Sequence, residues 1–555
     1  MKDEEESFSA RISNIALAAL SDVWLVWLTV AVLTTLPYAV ALMRTPEGFV
    51  FSGVLTAYDD TFTYFTWIRQ SADGHMFMCD LYTSEKQSCE FLLPLWNVLG
   101  LTSRLTRMPI ALTFNVARLL ASLLLLLVAR SVACGVIKSR TRVRYSLWLY
   151  AMSGGLGWLV YFLQNRIDLL GASPASGSAD LNIPEAIAFR SVFGQVHFAV
   201  GAALLFGSIK LFFSALVGGK ITRALYAGLL ATLLAVVHPY LVIVAGAVVG
   251  VSLLAWPWFV PTSHPSRGDY NSRARAALAF ALTMFPGAAY LFYLNRSNKV
   301  LREWLRATDT LSPPPWEYAL GFGIVILLAI AGFSLMWRRH REPYGRLLLL
   351  WALVQAALLY APVSFQRRLV EGIQLPLSIA ASVALFWIAR RFFKTRTQRR
   401  AFLISVVAFA SVTNVGFVVG QMVPQGPASV SADPRRYVPN DLIAAFDWLR
   451  TNSEPDAVLF SSYLTGNIAP SATGLRVFLG HYGQTINSDE KGAEVTDFYT
   501  EALGERATRQ LFAAHRVRFV IFGPFERAMF PGFAPPRCLR PAYRQGDVEI
   551  FEVVL

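Results

Sequence analysis

The sequence predicts an all-α polytopic membrane bundle of about eleven transmembrane helices, with a C-terminal extracytoplasmic α/β domain. Three observations predict it. Of 555 residues, 55 % are apolar and only 15 % charged, whereas soluble globular chains carry about one quarter charged residues. Apolar runs long enough to cross ~30 Å of hydrocarbon recur, among them 22–43, 109–130, 144–164, 191–216 and 401–422. Beyond 422 the pattern changes to short apolar stretches separated by polar helical ones.

The elements follow in order from the charges, because cytoplasmic loops collect Lys and Arg. The acidic start, MKDEEESFSARIS, has no basic n-region and no small-residue cleavage site, so 22–43 reads as a retained first helix with a cytoplasmic N-terminus. Residues 44–108 are then outside. A helix at 109–130 returns to Arg130, Lys138, Arg140, Arg142 and Arg144. The next, 144–164, leads out to 165–190, and 191–216 returns to Lys220 and Arg223. Helices five and six turn outside at His238-Pro239-Tyr240 and return to Arg267, Arg273 and Arg275. Helix seven, 276–294, precedes an outer loop, 295–318; helix eight, 319–337, ends in Trp337-Arg338-Arg339-His340-Arg341. Helix nine runs to about 361, helix ten is about 371–389 before the basic 390–400, and helix eleven is 401–422. The organisation expected is a core, 1–422, containing the first outer loop 44–108, and an outer domain, 423–555. In the latter, VPQGPASVSADP is a linker, DLIAAFDWLR a helix, and AVLFSSY, RVFLG and RVRFVIFG strands, with helical stretches near 488–502 and 506–515. The membrane expected is the cytoplasmic (inner) one.

The net charge of +14 lies in clusters between apolar runs, so it marks topology and not nucleic-acid binding. No GxxxxGK[ST] loop, no HExxH and no internal repeat is visible, so P-loop, zincin and inverted-repeat transporter readings get no support. Four cysteines are too few for a disulfide scaffold. Cys79 and Cys89 share one polar segment, where a disulfide and two free thiols are both consistent with the sequence; Cys134 and Cys538 have no evident partner.

Two places can carry chemistry. Tyr58-Asp59-Asp60 opens a first loop of about 65 residues. The following TFTYFTWIRQ has helical spacing, with Asp59, Thr63, Thr66 and Gln70 on a polar stripe and Phe62, Phe65 and Ile68 on an apolar one. That pattern reads as an interfacial helix lying on the membrane. Adjacent carboxylates there suit proton abstraction or a divalent cation; the alternative is helix capping. The second place is Phe365-Gln366-Arg367-Arg368 with Glu371, the one strong basic cluster that the count puts outside. Guanidinium forks match phosphate oxygens; the alternative is an Arg–Glu ion pair or snorkelling. Weaker outer candidates are Arg190, Gln195 and His197 at one helix mouth, His238 at another, and the basic set Arg296, Lys299, Arg302 and Arg306.

AYDDTFTYFTWIRQ after the first helix resembles the acidic first-loop motif of the GT-C glycosyltransferases, the group of the protein O-mannosyltransferases, aminoarabinose transferases and the oligosaccharyltransferase catalytic subunit. The many-helix core, the outer FQRR and the outer α/β tail are similar to those of bacterial members. The resemblance implies a polyprenyl-phosphate sugar as donor, a lipid, glycan or protein as acceptor, and no nucleotide-sugar fold. It implies Asp59 as the acid that deprotonates the acceptor or holds a metal, Asp60 as its neighbour, and Arg367 and Arg368 as the lipid-phosphate groups, with inversion at the transferred carbon. A divalent cation is compatible with it, but no metal ligand set is assigned. No WWD-type motif is present, which speaks against transfer to protein sequons. APSATGLRVFLGHYGQT is similar to tails of bacterial members and implies no role. The rival readings are a lipid-linked polysaccharide polymerase or ligase, and a non-enzymatic transporter or flippase.

Overall fold

In a computed structural model, residues 2–164, 177–260, 264, 269–307, 309–338, 343–423 and 433–554 are described. Part of the expected 165–190 loop, Arg267, the Arg339 to Arg341 cluster and most of the 423–434 linker lie outside the described residues. The chain forms two compact units. The first comprises Met1–Pro37, Arg118–Leu291 and Thr310–Met422; the second comprises Tyr38–Ala117, Phe292–Asp309 and Val423–Leu555.

The first unit is helical. Among the described residues six helices have the length and apolarity to cross a membrane: Leu17–Met43, Ile110–Val136, Arg140–Leu163, Val196–Gly218, Tyr270–Ser297 and Gln366–Phe392. Two helix pairs pass only together. Pro315–Phe322 and Ile324–Arg338 meet at 89°, and Arg396–Ala410 and Val412–Met422 at 49°. Ile221–Val237, Tyr240–Leu254 and Pro343–Leu358 are apolar but shorter. By length and composition, six helices among the described residues are able to cross a membrane, or eight if each bent pair is one span; about eleven needs the three short helices to cross as well.

The 89° corner has a local cause. Gly323 sits at φ +50°, a left-handed conformation that glycine adopts without steric penalty. Its backbone meets Gly155, where an added Cβ would lie 2.0 Å from the Leu320 carbonyl oxygen. Part of the expected basic cluster is neutralised within this unit, since buried Asp22 receives Arg130, Arg140 and Arg144.

The second unit joins the first loop to the chain beyond the linker. Phe49–Phe51 pairs antiparallel with Tyr437–Pro439, Val50 opposite Val438. A five-stranded sheet has the order Arg476–Val477, Val458–Phe460, Val517–Phe522, Val548–Val553, Leu539–Gln545. The first two junctions are parallel and the last two antiparallel. Helices Asn440–Asn452, Ser488–Tyr499 and Glu505–His515 form where amphipathic spacing predicts them. The C-terminal hairpin and the Tyr463–Thr473 helix were not expected. An aromatic core of Phe460, Phe478, Phe498 and Phe512 packs the sheet.

Two expectations are corrected here. The 58–72 stretch is a helix, Tyr58–Ala72, but it does not lie on a membrane surface with an open apolar stripe. Phe62, Phe65 and Ile68 are buried, and so are Thr63, Thr66 and Gln70 on the opposite stripe. Protein covers both faces: the Phe65 ring meets that of Phe114 edge-on at 5.3 Å, while Gln70 exchanges hydrogen bonds with the Cys79 backbone and Gln484 Nε2 donates to Thr63 Oγ1. The expected 295–318 loop is partly helical, over Lys299–Ala307, with Arg306 paired to Glu303. Cys79 and Cys89 form a disulfide with a Cα–Cα distance of 4.4 Å.

Candidate functional site

Asp59 and Asp60 occupy the first turn of the Tyr58–Ala72 helix. The residue before that helix, Ala57, is left-handed at φ 48°, and no side chain caps the helix end. Asp59 points instead into the residues that follow the linker. Arg435 Nη1 donates to Asp59 Oδ1 at 2.9 Å, and the Tyr463 hydroxyl donates to the same oxygen at 2.6 Å. Arg435 is itself fixed. It donates to Asp433 from Nε at 2.9 Å and Nη2 at 2.6 Å, and from Nη1 to Asn467 Oδ1 at 2.7 Å.

The electrostatics follow from these contacts. Burial pushes the Asp59 carboxyl up, but hydrogen bonds from Arg435 and Tyr463 and the guanidinium charge outweigh it, leaving the group below the usual carboxylate range. Burial pushes the Tyr463 phenol up, and the Asp59 carboxylate pushes it further, so it stays protonated and donates. Asp59 is thus a permanently ionised, oriented carboxylate at neutral pH.

Asp60 is half exposed and lies 3.9 Å, Oδ1 to Nε2, from buried His481. His481 belongs to the loop Gly480-His481-Tyr482-Gly483-Gln484. The loop approaches the Tyr463–Thr473 helix through two glycines: a Cβ on Gly466 would lie 1.9 Å from the Leu479 oxygen, and one on Gly480 2.4 Å from the Gly466 oxygen. His481 Nδ1 accepts from the Gly483 N–H at 3.0 Å and the Gln484 N–H at 3.2 Å. Burial brings the imidazole down to about 4, so it is neutral at pH 7 and carries its proton on Nε2.

The first unit holds the other sequence candidates. Gln366–Val370 is a 3₁₀ turn. Arg367 Nε lies 3.3 Å from Glu185 Oε1, and the Arg368 guanidinium lies over the Tyr240 ring at 4.8 Å. Gln366 accepts from the Ser312 N–H and donates to the Ala361 carbonyl. Glu371 Oε2 faces His238 Nδ1 at 3.3 Å. The His197 ring lies 5.2 Å from that of His238. Arg190 stands apart in its contacts, over the Phe417 ring at 3.6 Å and donating to the Leu181 carbonyl. An apolar cavity of about 660 Å³ runs between Pro315–Phe322, Ile324–Arg338 and Pro343–Leu358, from Tyr318 and Tyr360 to Trp337.

Sequence reasoning missed Arg435, Tyr463, His481 and Glu185. One signal was available: Arg435-Arg436 follows the last apolar run on the expected outer side, a second breach of the charge rule. Among the described residues, no group of three or more His, Cys, Asp or Glu side chains is arranged to hold a metal.

No family model matches the chain, and no curated protein matches it. Solved structures do. ArnT from Cupriavidus metallidurans bound to undecaprenyl phosphate aligns at a TM-score of 0.53 and 13 % identity, covering 95 % of this chain and 98 % of that one. The Archaeoglobus fulgidus oligosaccharyltransferase tethered with an acceptor peptide aligns at 0.50 and 14 %, over 90 % of this chain and 69 % of that one. The arabinofuranosyltransferase AftD from Mycobacteria aligns at 0.52 and 13 %, over 95 % of this chain and 40 % of that one. These structural neighbours are GT-C glycosyltransferases, and at such identities the likeness is one of fold.

Proposed function

We propose that this chain, which has the GT-C fold, is an inverting glycosyltransferase that moves a sugar from a polyprenyl-phosphate donor to a hydroxyl acceptor on the extracytoplasmic side of the inner membrane. The observation that carries the proposal is the Asp59 carboxylate, held ionised and oriented by Arg435 and Tyr463. A carboxylate so held has its position supplied in advance, which compensates for modest basicity.

In the reaction the acceptor hydroxyl gives its proton to Asp59 as its oxygen attacks the anomeric carbon. The bond from that carbon to the phosphate oxygen breaks, and polyprenyl phosphate leaves with the bonding pair. Arg367 and Arg368 stabilise the charge that grows on the phosphate. The apolar cavity of about 660 Å³ supports a long-chain lipid ligand, and a polyprenyl tail has the matching chemistry. The Cys79–Cys89 disulfide supports an oxidising, extracytoplasmic setting for the first loop. Counting each bent pair and each short apolar helix once gives eleven spans, an odd number that leaves the two ends on opposite sides, and the basic clusters between the apolar runs favour a cytoplasmic N-terminus with the chain beyond 423 outside. In this reading 423–555 is an outer α/β domain and 1–422 the membrane core.

The test is mass spectrometry of cell-envelope glycans with and without the protein, complemented by wild type and by Asp59→Asn. Loss of a specific sugar modification, restored only by wild type, is expected. An unchanged glycan profile removes the proposal.

A further inference from the structure

The helix Pro94–Thr106, in the first loop, is apolar on two opposite faces. Trp96, Leu99, Gly100 and Ser103 are buried and follow the i, i+3, i+4, i+7 spacing of one helix face. At about 100° per residue, Val98, Leu101 and Leu105 fall on the face directly opposite. That face is open, with the three side chains 61 %, 53 % and 73 % exposed. A helix that covers a water-facing surface carries polar residues there. Three large aliphatic side chains on one outer stripe mark a surface that meets something apolar. The neighbouring chain adds to it: Asn97 Nδ2 donates to the Met76 carbonyl at 3.0 Å, and Met76 and Phe77 are exposed as well.

The place of the helix in the chain says what covers the stripe. It ends at Thr106, and Ile110–Val136, long and apolar enough to cross a membrane, begins four positions later. Four positions of chain reach at most about 14 Å, so the stripe sits at the boundary of the hydrocarbon. Arg104 and Arg107 stand exposed at this end of the helix, where long cationic side chains meet the phosphates of lipid headgroups. An apolar stripe edged by cations, joined by a short link to a spanning helix, matches a bilayer surface.

We propose that Pro94–Thr106 lies along the bilayer surface, with Val98, Leu101 and Leu105 among the acyl chains and Arg104 and Arg107 on the phosphates of anionic phospholipids. The helix thereby sets the height of the candidate site. Its covered face packs on Tyr58–Ala72: a Cβ on Gly100 would lie 2.3 Å from Ser71 Cβ and 2.7 Å from the Ile68 carbonyl oxygen, and Ser71 Oγ donates to the Asn97 carbonyl at 3.0 Å. Asp59 opens that second helix, so a membrane-seated Pro94–Thr106 holds the carboxylate at a fixed distance from the headgroups. The interfacial element expected at 58–72 is thus the helix that packs against it. Bilayer contact needs no reaction, so it stands whether or not the chain transfers a sugar.

The experiment is site-directed fluorescence quenching on the full chain, with Cys134 and Cys538 replaced by serine, in vesicles of phosphatidylethanolamine and phosphatidylglycerol. Bimane on Leu101→Cys or Leu105→Cys should be quenched by phospholipids brominated near the top of the acyl chain and protected from aqueous iodide. Bimane on Arg544→Cys, in the exposed strand Leu539–Gln545, is the control and should show the reverse, with lipid quenching lower by about threefold or more. Thermal midpoints identify any variant that misfolds, and either of positions 101 and 105 decides if the other does. Iodide quenching at 101 and 105 equal to that of the control overturns the bilayer contact. Protection from both quenchers also overturns it, in favour of a second copy or another protein. Exchanging phosphatidylcholine for phosphatidylglycerol should raise the midpoint of wild type more than that of Arg104→Gln combined with Arg107→Gln. Equal gains overturn the part given to the arginines.

Discussion

Arg435 Nη1 donates to Asp59 Oδ1 at 2.9 Å across 376 positions of sequence. The contact ties the first loop to the chain beyond the last apolar helix and fixes the charge state of both groups. Arg435→Gln should lower the thermal midpoint, with a stability loss of about 1–3 kcal/mol, since it removes charge-assisted bonds to two carboxylates that remain about a quarter exposed. Arg435→Lys keeps the charge but loses the fork and should fall between. The sign with pH follows from the lowered Asp59 carboxyl. Its stabilisation is present above the unfolded value of about 3.9 and is lost as pH falls through the lower folded value. Midpoints measured across an acid series check both points.

Asp59→Asn keeps the shape and still accepts from Tyr463, so the protein should fold. Without the charge, transfer should fall by about 10²–10⁴-fold. Asp60→Asn should cost less. Because Asp59 is ionised well below neutrality, wild-type transfer should not titrate on this group between about pH 6 and about 8. Single-turnover rates of both variants measure the difference, and near wild-type turnover in Asp59→Asn would leave this carboxylate a purely structural partner of Arg435.

Arg367→Lys and Arg368→Lys should weaken donor affinity, and the alanine variants should do so by roughly ten- to a hundredfold, the equivalent of a contact of about 1.5–3 kcal/mol. The structural alternative for Arg367 is its pairing with Glu185 at 3.3 Å. If that pairing is all it does, Glu185→Gln should lower the thermal midpoint as much as Arg367→Ala, with donor affinity unchanged in both. Donor titration beside thermal unfolding separates the two.

Asp80 should make stability fall as pH rises towards neutrality. It is buried, one oxygen has no partner, and burial raises its carboxyl to about 7. A group raised in the folded state stabilises fully below its unfolded value of about 3.9, and that contribution is lost as pH climbs through about 7. Asp80→Asn removes the titration, so its midpoint should exceed that of wild type above about pH 7 and vary less between about 4 and 7. A wild-type midpoint that is flat over this range would contradict the assignment.

Topology is open to thiol labelling in intact cells. In a background with Cys134 and Cys538 replaced by serine, a cysteine at 390–400 should be protected from an impermeant reagent, and one at 485–495 should react. The expectation follows from the basic clusters, and the reverse pattern would invert the orientation on which the outer site depends.

Chain composition and local spacing were enough to find what depends on neighbours in sequence. A run such as 109–130 becomes the helix Ile110–Val136 because its own backbone satisfies its hydrogen bonds. The amphipathic 441–450 and the alternating 516–523 become the Asn440–Asn452 helix and the Val517–Phe522 strand for equally local reasons. Asp59 stood out by sequence because it opens a helix in a long polar loop. What covers that helix was not local. Periodicity assigns Phe62 and Thr63 to different stripes but says nothing of what each stripe meets, and the second unit buries both. Likewise the ionised state of Asp59, the donor on His481 and the partner of Arg367 depend on Arg435, the Gly483 and Gln484 amides, and Glu185. Arg435 and Glu185 come from distant sequence, and the amides owe their aim to a loop held by the Gly466–Gly480 approach. A hydrogen bond exists only where distance and angle permit it, and only the folded chain supplies those.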